Sequence, residues 1–212
     1  AADLGSDTFP DDVVELINYL LPREGAPQHP SPTPGTGYLP EVWLLGSSTY
    51  SAQLAGMLGL PFSFAYHFAP DLLDSALSLY RSTFRPSVLL DSPYAMVAVS
   101  VICAPTVGEA RWLAGSTALS ILQRRTGHVG LLPSPEEADV YPFTAEDVAM
   151  IEGALASHVI GDQTIVREGL IQLQQRTSAD ELMISTRTHS YDARARSFAL
   201  IAEAWELESV TT

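Results

Sequence analysis

Ser47, Ser48, Thr49 and Ser51 crowd four hydroxyl groups around Tyr50 directly after a lone glycine, Gly46. Hydroxyls at that density can donate to an anion. The flanking residues decide whether an anion could reach them. Val42-Trp43-Leu44-Leu45 is an uninterrupted apolar run suited to a strand buried on both faces, and the residues from about Ser51 to Leu58 read as a helix. Strand, tight turn and helix would place the hydroxyls at a helix N-terminus, where unpaired N–H groups and the positive end of the dipole favour phosphate. The same residues also suit plain N-capping, and local chemistry leaves both readings open.

Other chemistry-bearing residues are sparse. His67 closes the short aromatic run Phe62–Phe68, and if that run is a strand of a parallel barrel, its carboxyl end lies on the functional face. Arg187, Thr188 and His189 follow another strand, Glu181–Thr186, on the same side. Arg124 and Arg125 fall in the last turn of a helix, where they suit its dipole. The lone cysteine, Cys103, sits inside the apolar run Ala95–Ala104 and reads as a core thiol. No catalytic triad, metal-ligand spacing or dinucleotide-binding glycine pattern stands out.

The elements that must position these residues alternate. Asp11 and Asp12 open an amphipathic helix with Val13, Leu16, Ile17, Leu20 and Leu21 on one face. Residues 22–41 form a proline- and glycine-rich loop. Strands are predicted at about 42–46, 62–66, 94–103 and 181–186. The second is followed by a helix whose inner stripe is Leu73, Ala76, Leu77 and Tyr80, the third by a helix from Val107 to about Thr126. Residues 127–143 are irregular and long enough to act as a lid. Thr144 and Asp147 fit a capping box for a helix running through His158, a break at Ile160–Asp162 starts another to Arg176, and Tyr191–Glu206 is the closing helix. The tail from Leu207 is predicted to fray.

A formal net charge of −14 argues against non-specific binding to nucleic acid or an anionic membrane, leaving small molecules and proteins as partners. One cysteine excludes an internal disulfide and points to a reducing compartment. No apolar stretch approaches the roughly 20 residues a spanning helix needs, and no signal peptide is evident, so the expectation is a cytoplasmic protein.

The run EVWLLGSSTYSAQLAGMLGLPFSFAYHFAP, residues 41–70, resembles the luciferase-like flavin monooxygenases related to bacterial luciferase. The phrase VIGDQTIVREGL, residues 159–170, is similar to a Gly-Asp step that those proteins carry before their last strand. The resemblance implies an α/β fold, a TIM (β/α)8 barrel of the bacterial luciferase type, of which this chain supplies roughly the C-terminal half as one partial domain over residues 1–212. It further implies FMN as cofactor, its phosphate held by Gly46, Ser47, Ser48, Thr49, Tyr50 and Ser51, with Arg187 as a supporting cation and His67 as a catalytic candidate. Reduced FMN, delivered by a separate flavin reductase, would use O2 to oxidise a small organic substrate such as an aldehyde or other carbonyl compound. A deazaflavin-dependent relative, or a non-catalytic flavin-binding or structural subunit, is the alternative. Four strands do not close a barrel, so the resemblance also implies a second chain or the remaining N-terminal half as partner.

Overall fold

A computed structural model describes residues 8–21, 40–128 and 130–206. The proline-rich loop up to residue 39 and the tail from Leu207 lie outside the described residues. Five parallel strands form one sheet: β1 (Leu44–Gly46), β2 (Phe62–Ala65), β3 (Ala95–Cys103), β4 (Val159–Gly161) and β5 (Glu181–Ser185). Eight α-helices and a short 3-10 helix (Pro70–Leu72) accompany them among the described residues: α1 (Phe9–Leu20), α2 (Thr49–Leu58), α3 (Leu73–Thr83), α4 (Val107–Arg125), α5 (Pro135–Asp139), α6 (Ala145–Leu155), α7 (Gln163–Thr177) and α8 (Tyr191–Ala204).

The central strand is β3. Its nine residues are all buried, as its β-branched run predicts. It pairs with β2 through Ala95–Ala98 and with β5 through Met96–Ser100, so those two strands occupy opposite edges. A third partner, β4, pairs with Val101–Cys103. Backbone groups two residues apart in a strand point to the same edge. The carbonyl of Ala98 accepts from Tyr66, and the N–H of Ala104 donates to Gly161, so β4 takes up the edge that β2 vacates.

Register sorts the side chains into two faces. Leu44, Phe62 and Ala95 share one row, and Phe64, Val97 and Leu182 the next. These join Ala52 and Ala55 of α2, Leu73, Ala76, Leu77 and Tyr80 of α3, Val166 and Leu170 of α7 and Ile201 of α8 in the main core. The predicted stripe of α3 is the buried one. The other face presents Leu45, Ser63, Ala65, Ala98, Ser100 and Met183, none of which joins that core. Leu45 is 66% exposed there and Met183 49%. This is the inner face of a barrel sector.

Several expectations need correction. The helix predicted through His158 ends at Leu155, and β4 replaces the expected break. Val159 and Ile160 are β-branched or apolar and find an unpaired stretch of β3, which outweighs continuation of the helix. The irregular segment 127–143 contains α5, begun by a capping box between Ser134 and Glu137 with Pro135 at the first turn. Ala138 of α5 packs against Gly115 of α4, where an added Cβ would approach to 3.2 Å. In α1 only Val13 is buried, and Leu16 of the predicted stripe is 53% exposed. Two other readings hold: Gly59 ends α2 in the left-handed conformation at φ 63°, and Thr144 with Asp147 forms the predicted capping box.

Candidate functional site

The hydroxyl turn stands between β1 and α2. Ser48 is the N-cap of α2: its Oγ accepts from the Ser51 N–H at 3.4 Å, and the Ser51 Oγ donates to the Ser48 carbonyl at 3.0 Å. These two hydroxyls therefore hold the turn itself. Gly46 is required for space: its φ lies outside the left-handed region, and a Cβ there would fall on the Ser51 side chain. Ser47 and Thr49 keep their hydroxyls outside this capping arrangement, at the open end of the helix.

Charge distinguishes this helix start from its neighbours. Asp74 lies in the first turn of α3, Glu109 in that of α4 and Asp192 in that of α8, while α7 is capped by Asp162 itself. The first turn of α2 has no acidic residue and its cap is a neutral serine. An anion approaching the carboxyl ends of the strands meets repulsion at the others and an undiminished dipole at α2.

His67 sits just past β2, half-buried. Its Nδ1–H donates to the Ala98 carbonyl at 3.1 Å, which turns Nε2 away from that carbonyl, and its ring meets Phe68 at a tilt of 45° with centroids 4.3 Å apart. Because β4 continues where β2 stops, His158, one residue before β4, comes to the same place from the other direction. The β3–β4 register extends His158 to a position opposite Ser100, whose other neighbour is Ser185 of β5. The Nδ1 of His158 is buried without a hydrogen-bond partner. Burial, His67 and Arg187 together push its pKa down to about 4, so the ring is neutral at pH 7.

Arg187 follows β5 and is gripped at two points by α4. Its carbonyl accepts from the buried Thr117 Oγ1 at 3.1 Å, and its Nη2 donates to the buried Ser120 Oγ at 3.0 Å. Desolvation and then Arg124 lower its pKa. Among the described residues no carboxylate pairs with it; the single described ion pair is Arg176–Asp74. Arg187 follows β5, which lies three strand spacings, about 14 Å along the sheet, from the β1 strand that leads into the Ser47–Ser51 turn. Arg187 neighbours His158, which in turn neighbours His67.

His158, Thr117 and Ser120 escaped sequence reasoning. The first carried a local signal, a Val-Ile pair before Gly-Asp; the hydroxyls on α4 met Arg187 only through contacts 67 and 70 residues long. Cys103 is buried, its thiol pushed up to about 11 by desolvation and then Asp162, as a core thiol requires. Among the described residues there is no acidic, histidine and cysteine group able to hold a metal, and no helix long and apolar enough to cross a membrane.

A parallel sheet with α2, α3, α7 and α8 on one face, α4 packed on Ile102 at the carboxyl end of the other, and polar groups gathered at that end defines part of a TIM-barrel fold. Comparison with known proteins narrows the class. No protein-family model matches the chain. The chain is 43% identical over 201 residues to a luciferase-like monooxygenase of Escherichia coli K12, covering 94% of this chain and 59% of that protein. It is 40% identical over 200 residues to YvbT of Bacillus subtilis, covering 94% and 60%. The crystal structure of apo-MsnO8 superposes with a TM-score of 0.84 at 32% identity, over 97% of this chain and 63% of that one. The chain belongs with the luciferase-like monooxygenases, of whose length it spans about three-fifths.

Proposed function

We propose that the chain, acting as one partial-barrel domain over residues 1–212, forms the flavin-phosphate side of an FMN-dependent monooxygenase. The observation that supports this best is the acid-free start of α2 beside Ser47 and Thr49, at the turn where luciferase-like relatives are expected to hold a phosphate. The donor set fits an anion: backbone N–H groups of the first turn, two hydroxyls outside the cap, and the helix dipole. The residues that would hold the phosphate are Ser47, Thr49 and Tyr50, with Gly46, Ser48 and Ser51 shaping the turn. When bound, reduced flavin supplies the chemistry that activates O2 for attack on an organic substrate.

The chain's own contribution is to bind, orient and exclude water. Ser63, Ala65, Ala98 and Ser100 keep the inner face shallow enough for a planar ring system, and Leu45 and Met183 border it with apolar surface. His67 presents Nε2 at the carboxyl end of β2, placed to hold or pass a proton at the reacting substrate. The reduced cofactor would come from a separate flavin reductase and the substrate would be a small carbonyl compound. Turnover requires the remaining barrel strands, since among the described residues β1 and β5 each pair along one edge only. The protein is expected to work in the cytoplasm, where reduced flavin is available.

The test is a comparison of FMN with riboflavin by flavin fluorescence quenching on the purified chain. FMN should bind at least tenfold more tightly than riboflavin, and the preference should fall in Ser47→Ala/Thr49→Ala. Equal binding of the two flavins refutes a phosphate site at the turn.

A further inference from the structure

Four basic side chains follow one another at the mouth of the sheet, His67 beside His158, His158 beside Arg187 and Arg187 beside Arg124, with no described carboxylate paired to any of them. His67 stands at the end of β2, His158 at the start of β4, Arg187 after β5, and Arg124 in the last turn of α4. In a chain with 25 acidic residues against 11 Lys and Arg, such a cluster would ordinarily recruit a carboxylate of its own. No described ion pair contains any of the four. Arg124 and Arg187 are exposed, and the two histidines are half-buried. Arg187 is clamped by Thr117 at its carbonyl and by Ser120 at its guanidinium, which fixes one N–H of the fork and leaves the rest directed elsewhere. The buried Nδ1 of His158 has no partner among the described residues, so a donor or acceptor from a bound group could satisfy it.

We propose that Arg187, His158 and Arg124 form a subsite for the carboxylate of an acid-bearing organic substrate, placed across the inner face from the Gly46–Ser51 turn. The guanidinium fork left open by Ser120 meets a carboxylate in planar geometry, and His158 supplies an N–H toward the same group. His67, held on the Ala98 carbonyl, lies between this subsite and the reacting end. Three strand spacings from the turn, about 14 Å, leave room for a flavin phosphate and a substrate acid at opposite ends of one pocket. The substrate class is then an aldehyde or ketone that also carries an acid group. This assignment rests on the monooxygenase reading for the word substrate; the anion site itself does not.

Acetate and inorganic phosphate, titrated at constant ionic strength into the full chain labelled on histidine, provide the test through the ring resonances of His67 and His158. Saturable shifts of both rings with acetate are expected. The affinity should fall at least tenfold in Arg187→Gln, fall by a smaller factor in Arg187→Lys, and fall a few-fold in Ser120→Ala, which keeps the charge but frees the fork. Far-UV circular dichroism checks each fold, and the Lys and Ala variants carry the test if Arg187→Gln does not fold. Absence of a saturable acetate shift, or equal affinity in Arg187→Lys, Ser120→Ala and the wild type, overturns the proposal. So does loss of FMN but not riboflavin binding in Arg187→Gln, which would make Arg187 the counterion of the flavin phosphate. Acetate binding in a chain that binds no FMN would refute the flavin reading and leave the anion subsite standing.

Discussion

Replacing Gly46 by alanine tests the geometry of the hydroxyl turn directly. The added Cβ would fall on the Oγ and Cβ of Ser51, and the next neighbour, Phe62, lies 3.8 Å away, so the conflict is with one side chain. Overpacking of this kind costs about 1–3 kcal/mol. Displacing Ser51 also loses the bond from its Oγ to the Ser48 carbonyl, worth about 1 kcal/mol. The sum is about 2–4 kcal/mol, read as a fall in the urea midpoint at unchanged slope by far-UV circular dichroism. Ser51→Gly alone should cost about 2 kcal/mol, from the lost hydroxyl bond and the entropy of glycine in a helix. Glycine at 51 removes the very atoms that the alanine strikes. The double variant should therefore cost about 2–3 kcal/mol, well short of the sum, giving a coupling of at least 1 kcal/mol. Simple additivity would refute the reading of Gly46 as a residue held for space.

Three further outcomes follow from the same structure. Tyr80→Phe should lose about 2 kcal/mol in urea unfolding, because the buried hydroxyl donates toward the Leu60 and Tyr94 carbonyls and accepts from the Tyr94 N–H; a loss below 0.5 kcal/mol would show those groups rehydrated. His158 is depressed to about 4 in the fold, so the unfolded chain binds more protons between that value and about 6.5. Its contribution is present above pH 6.5 and should be lost as pH falls toward 4, on the order of 1–2 kcal/mol after allowing for partial exposure. Unfolding of His158→Asn across that range should show a flatter slope, and an unchanged slope would remove the assignment. The Cys103 thiol, pushed up to about 11, should resist iodoacetamide at pH 8 until the protein is denatured; rapid labelling of the folded chain would mean the strand end opens.

Legibility in the sequence followed the range of the interactions. The β3 run and the Leu73–Tyr80 stripe declared themselves because burial on a strand or helix repeats with a fixed period. Caps were readable for the same reason: Thr144 and Asp147, or Gly59 after α2, act within a few residues of themselves. The turn at Gly46 was placed correctly, but the role of its glycine depends on where the Ser51 side chain lies. β4 was missed because three residues carry no period, and only the vacant edge of β3 makes them a strand. Arg187 appeared as a loose cation after the last strand, since nothing local announces that Thr117 and Ser120 on α4 will grip it.

The placement of β3 between β2 and β5 also sets a timetable. Residues 104–180 separate β3 from its second long-range partner, and they must leave the ribosome before Glu181 can arrive. At about 5–20 residues per second, translation leaves one edge of the most apolar strand unpaired for roughly 4–15 s. Over that interval the nascent chain offers a hydrophobic template to any other strand nearby. Slower translation lengthens that interval, so holdase chaperones that shield Ala95–Cys103 until its partner is synthesised should raise the soluble yield.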